Sequence, residues 1–477
     1  MYKHGVHVSE QATSLIPPAR IGAALPVVFG TAPVHLADKG DQAVNAPKLC
    51  YSLKEAVTYF GYVDDWKSWT LCEFFKSYFT LFNVSPMVVV NVFDPAVHKT
   101  AITDEAKTFA KDMLTLENKG LVADPTVKKA DANTTYVLGT DYLVDRATGT
   151  ISRLASGSIA ADAQVKVSYE YGDPTKVSST DIIGGIDSQA KKAKGLELLN
   201  SVFPKFRLVP GQVLAPGWSK DPAVAAIMHA KASNINSHFK AMAVVDIDSD
   251  TVPLYSDVPG HKTNNNLTDE LLINCWPKVK LGNEEFWLSS QLGALCAQVD
   301  SKNEDIPYMS PSNNALQMTA AMAKGEEVWL GPEEGAYLNG QGIVTAQNFV
   351  GGWKCWGNRT GCYPGVTDVK DTFIPIRRMF NWIGNTLVLT YWQKLDNPMN
   401  RRLIETILDS VNIWFNGLAA RQFILGGRLE FLEEENPTTD LMDGICRFHA
   451  YVTPPGPAKE LEFIQEYDPG YIKTLFG

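Results

Sequence analysis

Two apolar runs decide the fold: LPVVFG at residues 25–30 and PMVVVNVFDP at residues 86–95. Each is short, dominated by Val with Leu, Met and Phe, and bounded by glycine or proline. That pattern predicts strands buried on both faces. Between them, SLKEAVTYFGYVDDWKSWTLCEFFKSYFTLF (52–82) carries apolar residues at helical spacing, with Ser52 as N-cap and Glu55 as its capping-box partner. Strand, helix and strand in succession open an α/β unit.

Working outward, the same alternation returns after residue 181. PAVAAIMHAKASNINSHF (222–239) reads as helix, KAMAVVDID (240–248) as strand and EEFWLSSQLGALCAQVD (284–300) as helix. The texture between these two α/β stretches is different. In TTYVLGTDYLVDRATGTISRLASGSIAADAQVKVSYEYGDP (134–174), short alternating runs are separated by turn-rich pieces, which predicts β-hairpins. Val165, Val167, Tyr169 and Tyr171 share one face there, opposite Lys166, Ser168 and Glu170.

The last third holds the clearest helix, in MNRRLIETILDSVNIWFNGLAARQ (399–422). Leu403, Ile404, Ile407, Leu408, Val411, Trp414, Phe415 and Leu418 form one stripe at spacings of three and four, and Asn400 stands where a cap belongs. RLEFLEEE (428–435) and ICRFHAYVT (445–453) read as strands, with KELEFIQEY (459–467) expected to pair with the latter. The predicted architecture is a multidomain α/β (α+β) chain. It has an N-terminal arm (1–24), a discontinuous core domain (25–95 and 345–467), a β-rich insertion (96–180), an α/β middle domain (181–344) and a C-terminal arm (468–477).

Both ends carry short extended segments set apart by proline. At the start, Val6 and Val8 alternate with His7 before the Pro17-Pro18 break; at the end, DPGYIKTLFG follows PPGP at 454–457. Chain ends fray unless tied down. A strand placed there pairs either with its own sheet or with an exposed edge of another molecule.

The charge balance argues against general nucleic-acid binding, because a net charge of −10 opposes phosphate contact. No signal peptide is evident at the N-terminus, and the most apolar stretches are too short to cross a bilayer. Seven scattered cysteines read as reduced thiols. Cys355 and Cys362 form either a disulfide, half a metal site or two thiols in a Gly- and Trp-rich loop.

Motifs for chemistry are sparse. Gly-x4-Gly-Lys-Ser/Thr, Gly-x-Gly-x-x-Gly, Gly-x-Ser-x-Gly and His-Glu-x-x-His do not occur. His229 and His238 sit nine apart on one predicted helix and therefore face opposite ways. Asp246, Asp248 and Asp250 alternate as in a calcium loop, but the glycine and the twelfth-position glutamate are missing. A solvated strand end accounts for them, as it does for Glu433–Glu435. A cytosolic hydrolase would have to assemble a site from scattered groups such as Asp246, Asp248 and His261. Arg377-Arg378 and Arg401-Arg402 are either surface ion-pair partners or a positive strip facing an acidic partner.

Four stretches together resemble the sheath proteins of contractile phage tails and R-type bacteriocins. They are YKHGVHVSE…IPPARIGAALPVVFGTAP, TDYLVDRATGTISRL…QVKVSYEY, DIIGGIDSQAKKAKGLELL…LVPGQVLAPGWSKDPAVAAIMHAKA, and NPMNRRLIETILDSVNIWFNGLAA through HAYVTPPGPAKELEFIQEYDPGYIKTLF. They cover most of the chain in the family's order. The first strand departs from it, reading HGVHV where the family often has Pro-Gly-Val-Tyr.

The resemblance implies a structural, non-enzymatic subunit without cofactor or metal. Such subunits polymerise as hexameric rings stacked helically around a tail tube, between baseplate and tail terminator proteins, in the virion tail after assembly in the host cytoplasm. No direct contact with nucleic acid or membrane is implied. Val6, His7 and Val8, with Tyr471, Ile472, Leu475 and Phe476, would be inter-subunit arm residues, completing a sheet on neighbours. Arg377, Arg378, Arg401 and Arg402 are candidates to face the tube. Lacking a nucleotide loop, such a subunit would draw the work of contraction from energy stored at assembly. A bacteriocin or other phage-derived injection particle is the alternative setting.

Overall fold

The computed structural model describes residues 17–19, 21–189 and 191–476. At its centre lies an eight-stranded sheet in the order Lys48–Cys50, Met87–Asn91, Pro26–Gly30, Gln212–Leu214, Met242–Asp246, Leu272–Cys275, Ile343–Asn348, Trp353–Trp356. The inner strands are all parallel, and the outermost strand on each side is antiparallel. In register, Val28 lies between Val89 and Leu214. Pro26–Gly30, Met87–Asn91 and Met242–Asp246 are buried at every residue, as strands covered on both faces must be. The two opening runs are therefore neighbours at the heart of the sheet.

This sheet corrects the expected division of the body. Strands from the first core segment and from the stretch assigned to a separate middle domain hydrogen-bond side by side, so no boundary separates 25–95 from 181–344. The expected helix across 52–82 is also interrupted. Leu53–Phe60 is capped by Ser52 Oγ, which accepts from the Glu55 amide at 3.3 Å, and ends at Gly61. Gly61 adopts φ 72°, and a Cβ there would meet the Pro33 carbonyl oxygen at 2.7 Å. The chain resumes as Thr70–Phe75 and runs into a π-helical turn, Lys76–Leu81.

Residues 99–172 fold into two three-stranded antiparallel sheets, Lys99–Thr108, Gln164–Gly172, Thr126–Lys129 and Met113–Thr115, Thr150–Arg153, Tyr142–Asp145. They enclose their own core, in which Val165, Val167 and Tyr169 are buried with Phe109, Leu121 and Ile151. The alternating face read from VKVSYEY is this core. One tie to the body is His35, whose Nε2–H donates to the Gly120 carbonyl at 3.1 Å. Burial lowers the His35 pKa to about 4, so the ring is neutral there.

The C-terminal part packs on the central body through the Ile374–Tyr391 helix. Trp382 Nε1 donates to the Ile21 carbonyl at 3.0 Å, and Asn385 exchanges bonds with Lys240 N (3.0 Å) and O (2.9 Å). The Arg401–Ala420 helix follows, capped by Asn400 Oδ1 on the Leu403 amide at 2.9 Å. It carries a two-stranded antiparallel ladder, Gly426–Glu430 with His449–Thr453.

Candidate functional site

The Arg401–Ala420 helix builds the base of the site. Val411, Phe415 and Leu418, from the lower half of its stripe, are buried. Phe415 lies against Gly427, where an added Cβ would meet the ring at 3.1 Å. Asn412 fixes the ladder from its other side: its amide donates to the Leu429 carbonyl at 3.1 Å and accepts from the Leu429 N–H at 2.7 Å. That contact closes part of the Gly426–Glu430 edge. Among the described residues no strand lies beside the His449–Thr453 edge. Two strands alone are marginal, and an open edge is a template for another chain.

After this ladder the chain stays packed through Pro454 and then becomes exposed. Residues 454–468 form no helix or strand, and the segment beyond Pro457 is exposed throughout. Leu461, Phe463, Ile464 and Tyr467 are 75%, 85%, 86% and 77% exposed. The expected pairing of KELEFIQEY with the preceding strand is not formed, and the exposed segment starts after Pro457 rather than at 468. Its pattern is nonetheless that of a strand. Leu461, Phe463 and Tyr467 fall on one side at period two, with Glu460, Glu462 and Glu466 on the other. A short 3-10 helix, Pro469–Phe476, follows, with Tyr471, Ile472 and Leu475 exposed. The Phe476 side chain, and Val6, His7 and Val8 entirely, lie outside the described residues. The described chain enters beside the C-terminal helices, where the Ala19 N–H donates to Thr390 Oγ1 at 2.9 Å.

The four arginines divide. Arg377 and Arg378 are buried, which corrects their reading as surface groups. Arg377 donates to Asp371 Oδ1 at 3.0 Å and to Asn381 Oδ1 at 3.2 Å. Arg378 forms a bidentate pair with Asp300, NH1 to Oδ1 at 3.2 Å and NH2 to Oδ2. Arg401 and Arg402 are exposed; Arg401 meets Glu405 at 2.7 Å.

Asp246 is no solvated strand end. It is buried, accepting from the Ser289 amide at 3.0 Å, from Ser219 Oγ at 3.2 Å and from Ser289 Oγ. Glu73 is buried close by and accepts from the Trp287 amide at 2.7 Å. Both carboxylates therefore cap the start of the Leu288–Ser301 helix. Desolvation raises Asp246 to about 6 and Glu73 to about 8, against the hydrogen bonds that oppose it. Asp248 meets Lys220 at 3.4 Å, and burial lowers His261. His229 pairs with Asp269 at 2.8 Å, while His238 lies past the end of the Pro222–Ala232 helix rather than on it. All seven cysteines are free thiols. No group of three or more His, Cys, Asp or Glu among the described residues is placed to hold a metal, and no described helix is long and apolar enough to cross a membrane.

The structure thus presents a ladder with one unfilled edge, followed in the chain by an exposed segment of strand-like pattern. Comparison with known proteins makes the class specific. Over 492 aligned residues, covering 100% of this chain and 99% of the relative, the sequence is 29% identical to the tail sheath protein of Burkholderia phage BcepMu. In fold, it matches the PVC sheath complex of an extracellular contractile injection system in its contracted state, with TM-score 0.58, 13% identity and coverage of 98% and 99%. A chain of the anti-feeding prophage baseplate matches with TM-score 0.58, 12% identity and coverage of 98% and 99%. Residues 94–180, the two-sheet insertion, match a family described as "Protein of unknown function UCP028589". Over its full length the chain is thus similar to contractile tail sheath proteins, in sequence to a phage sheath and in fold to the sheath of an injection system.

Proposed function

We propose that the chain polymerises as stacked six-membered rings around an inner tube and contracts to drive that tube through a target envelope. The observation that carries this reading is the exposed, strand-patterned segment 459–467 that follows a ladder with an open edge. In the polymer, that segment of one subunit adds to the His449–Thr453 edge of another. The residues before Pro17 serve as the second connector, with Val6, His7 and Val8 as its strand, while Ile21 and Ala24 pack in the core of their own body.

The magnitudes suit a durable yet movable link. An edge of five residues gives at most about five backbone bonds, each with a net value of roughly 1 kcal/mol. Burying Leu461 and Phe463 adds about 1.5–3 kcal/mol each. Repeated at both ends of every subunit, such links hold the lattice while bodies rotate past one another. The same sheath serves a phage tail or a phage-derived injection particle such as a bacteriocin. Its role is structural rather than catalytic, with tube, baseplate and terminator proteins as partners and no direct contact with nucleic acid or membrane. Of the four candidate arginines, only Arg401 and Arg402 are exposed to meet an acidic partner. The insertion stands as an appended exterior domain, and contraction releases energy stored in a metastable extended lattice.

Electron microscopy of the purified full chain tests the reading. Tubes or stacked rings are expected. A protein that stays as discrete globules at all concentrations and salts refutes it.

A further inference from the structure

We infer that the first half of the Arg401–Ala420 helix is a socket for the chain terminus of a second copy. The occupant is the Pro469–Phe476 element, seated after the arm strand has paired. This inference rests on the arm reading above and adds a second, separate contact to it.

The helix stripe is sealed only in part. Leu403, Ile404, Ile407 and Leu408 continue the stripe of Val411, Phe415 and Leu418 but stay half exposed. Met399, Ile404, Leu408, Phe431 and Leu441 line an open groove of about 480 Å³ there. An apolar helix face is ordinarily covered; here Ile407 and Leu408 pack in part against the core, and the side of the stripe that lines the groove stays open.

Topology brings the terminus to it. A strand added antiparallel to His449–Thr453 runs in the direction of Gly426–Glu430. It leaves the ladder where Phe431 follows Glu430, and Phe431 and Phe448 pack there at 5.8 Å between ring centroids. The groove begins at Phe431. The arm strand pattern spans nine residues, 459–467, against an edge of five. The four surplus residues reach about 13 Å when extended, enough to carry residue 469 past the ladder's end.

Chemistry fits the same path. Residues 459–468 set one lysine against four carboxylates, Glu460, Glu462, Glu466 and Asp468. Arg401 lines the groove with its side chain 92% exposed and paired to Glu405, also in the lining; the next residue, Arg402, is exposed and meets no carboxylate among the described residues. The terminal element offers Tyr471, Ile472 and Leu475, three apolar side chains exposed in their own subunit. Placing them in the groove covers both unpartnered surfaces at once.

The test uses the full chain carrying Cys446→Ser, Ile404→Cys and Leu475→Cys, assembled and then treated with a short bismaleimide. Crosslinks between copies in the polymer, absent from dispersed monomer, are expected. Truncation after residue 468 is expected to raise the critical concentration for polymerisation at least about tenfold, matching the loss of roughly one buried aliphatic side chain or more. No crosslink in intact tubes, with an unchanged critical concentration on that truncation, overturns the socket and leaves the arm strand standing. Polymerisation unaffected by truncation after residue 457 overturns the arm reading itself. Crosslinking of the residue 404 cysteine to a tube protein in whole particles, in place of a sheath copy, also overturns the socket.

Discussion

Replacing Arg378 by Met should cost about 3–5 kcal/mol of folding stability. Arg378, on the Ile374–Tyr391 helix, and Asp300, near the end of the Leu288–Ser301 helix, are 3% and 1% exposed. The pair is bidentate, so removing the guanidinium strips Asp300 of two hydrogen bonds and its counter-charge. Burial already pushes the Asp300 carboxyl upward, and Arg378 is the group that opposes it. Left alone, Asp300 escapes by taking a proton. From an unfolded value near 4, that costs about 1.4 kcal/mol per pH unit, or about 4 kcal/mol at pH 7. Protonation therefore limits the penalty to the same range.

The sign with pH follows. In the variant the folded pKa of Asp300 lies well above its unfolded value. The destabilisation is then fully present above the folded pKa and disappears as pH falls toward the unfolded one. Urea unfolding of an assembly-incompetent truncation, run at pH 7 and pH 4.5, measures it. The double variant Arg378→Met with Asp300→Leu should lie within about 1 kcal/mol of wild type, because a buried ion pair is often neutral against an apolar replacement. A single variant costing under 1 kcal/mol at pH 7 refutes the reasoning. A double variant as damaged as the single one assigns the loss to packing instead.

Other outcomes follow from the same contacts. Phe415→Ala should cost about 3–5 kcal/mol and Trp414→Ala less, since Phe415 is fully buried and Trp414 is only partly buried against the core; thermal or urea unfolding ranks them. Replacing the insertion by a short linker should spare the main body, because the insertion keeps a separate core; an unfolded product on circular dichroism contradicts this. Glu73, raised from 4.5 to about 8, favours the folded state fully below pH 4.5 and loses that advantage as pH rises toward 8. Glu73→Gln should therefore flatten the fall in stability between pH 5 and pH 8, by up to about 4 kcal/mol. Equal slopes in both proteins would show that Glu73 is ionised throughout.

The sequence disclosed what short-range patterning controls. The valine runs became central strands, the stripe at 403–418 became a helix capped by Asn400, and VKVSYEY became the inner face of the insertion. Long-range pairing was not visible. Nothing near Val213 says that it will lie between Val27 and Ala243, which is why one sheet looked like two domains. Arg378 and Asp246 were read as surface groups because charge defaults to water. Their burial depends on Asp300, Ser219 and Ser289, residues remote in sequence. Trp414 and Phe415 differ by one helical step of about 100°, too fine for the stripe to tell which faces inward. The free segment was misplaced because its alternation is that of a paired strand. The pattern signals a partner without saying whose it is.

A density map of the assembled polymer at side-chain detail tests the central claim most directly. Density for residues 459–467 should leave each subunit at Pro457 and lie as a third strand beside His449–Thr453 of a different subunit. Finding that segment folded back onto its own ladder in every subunit of an intact tube would contradict the account.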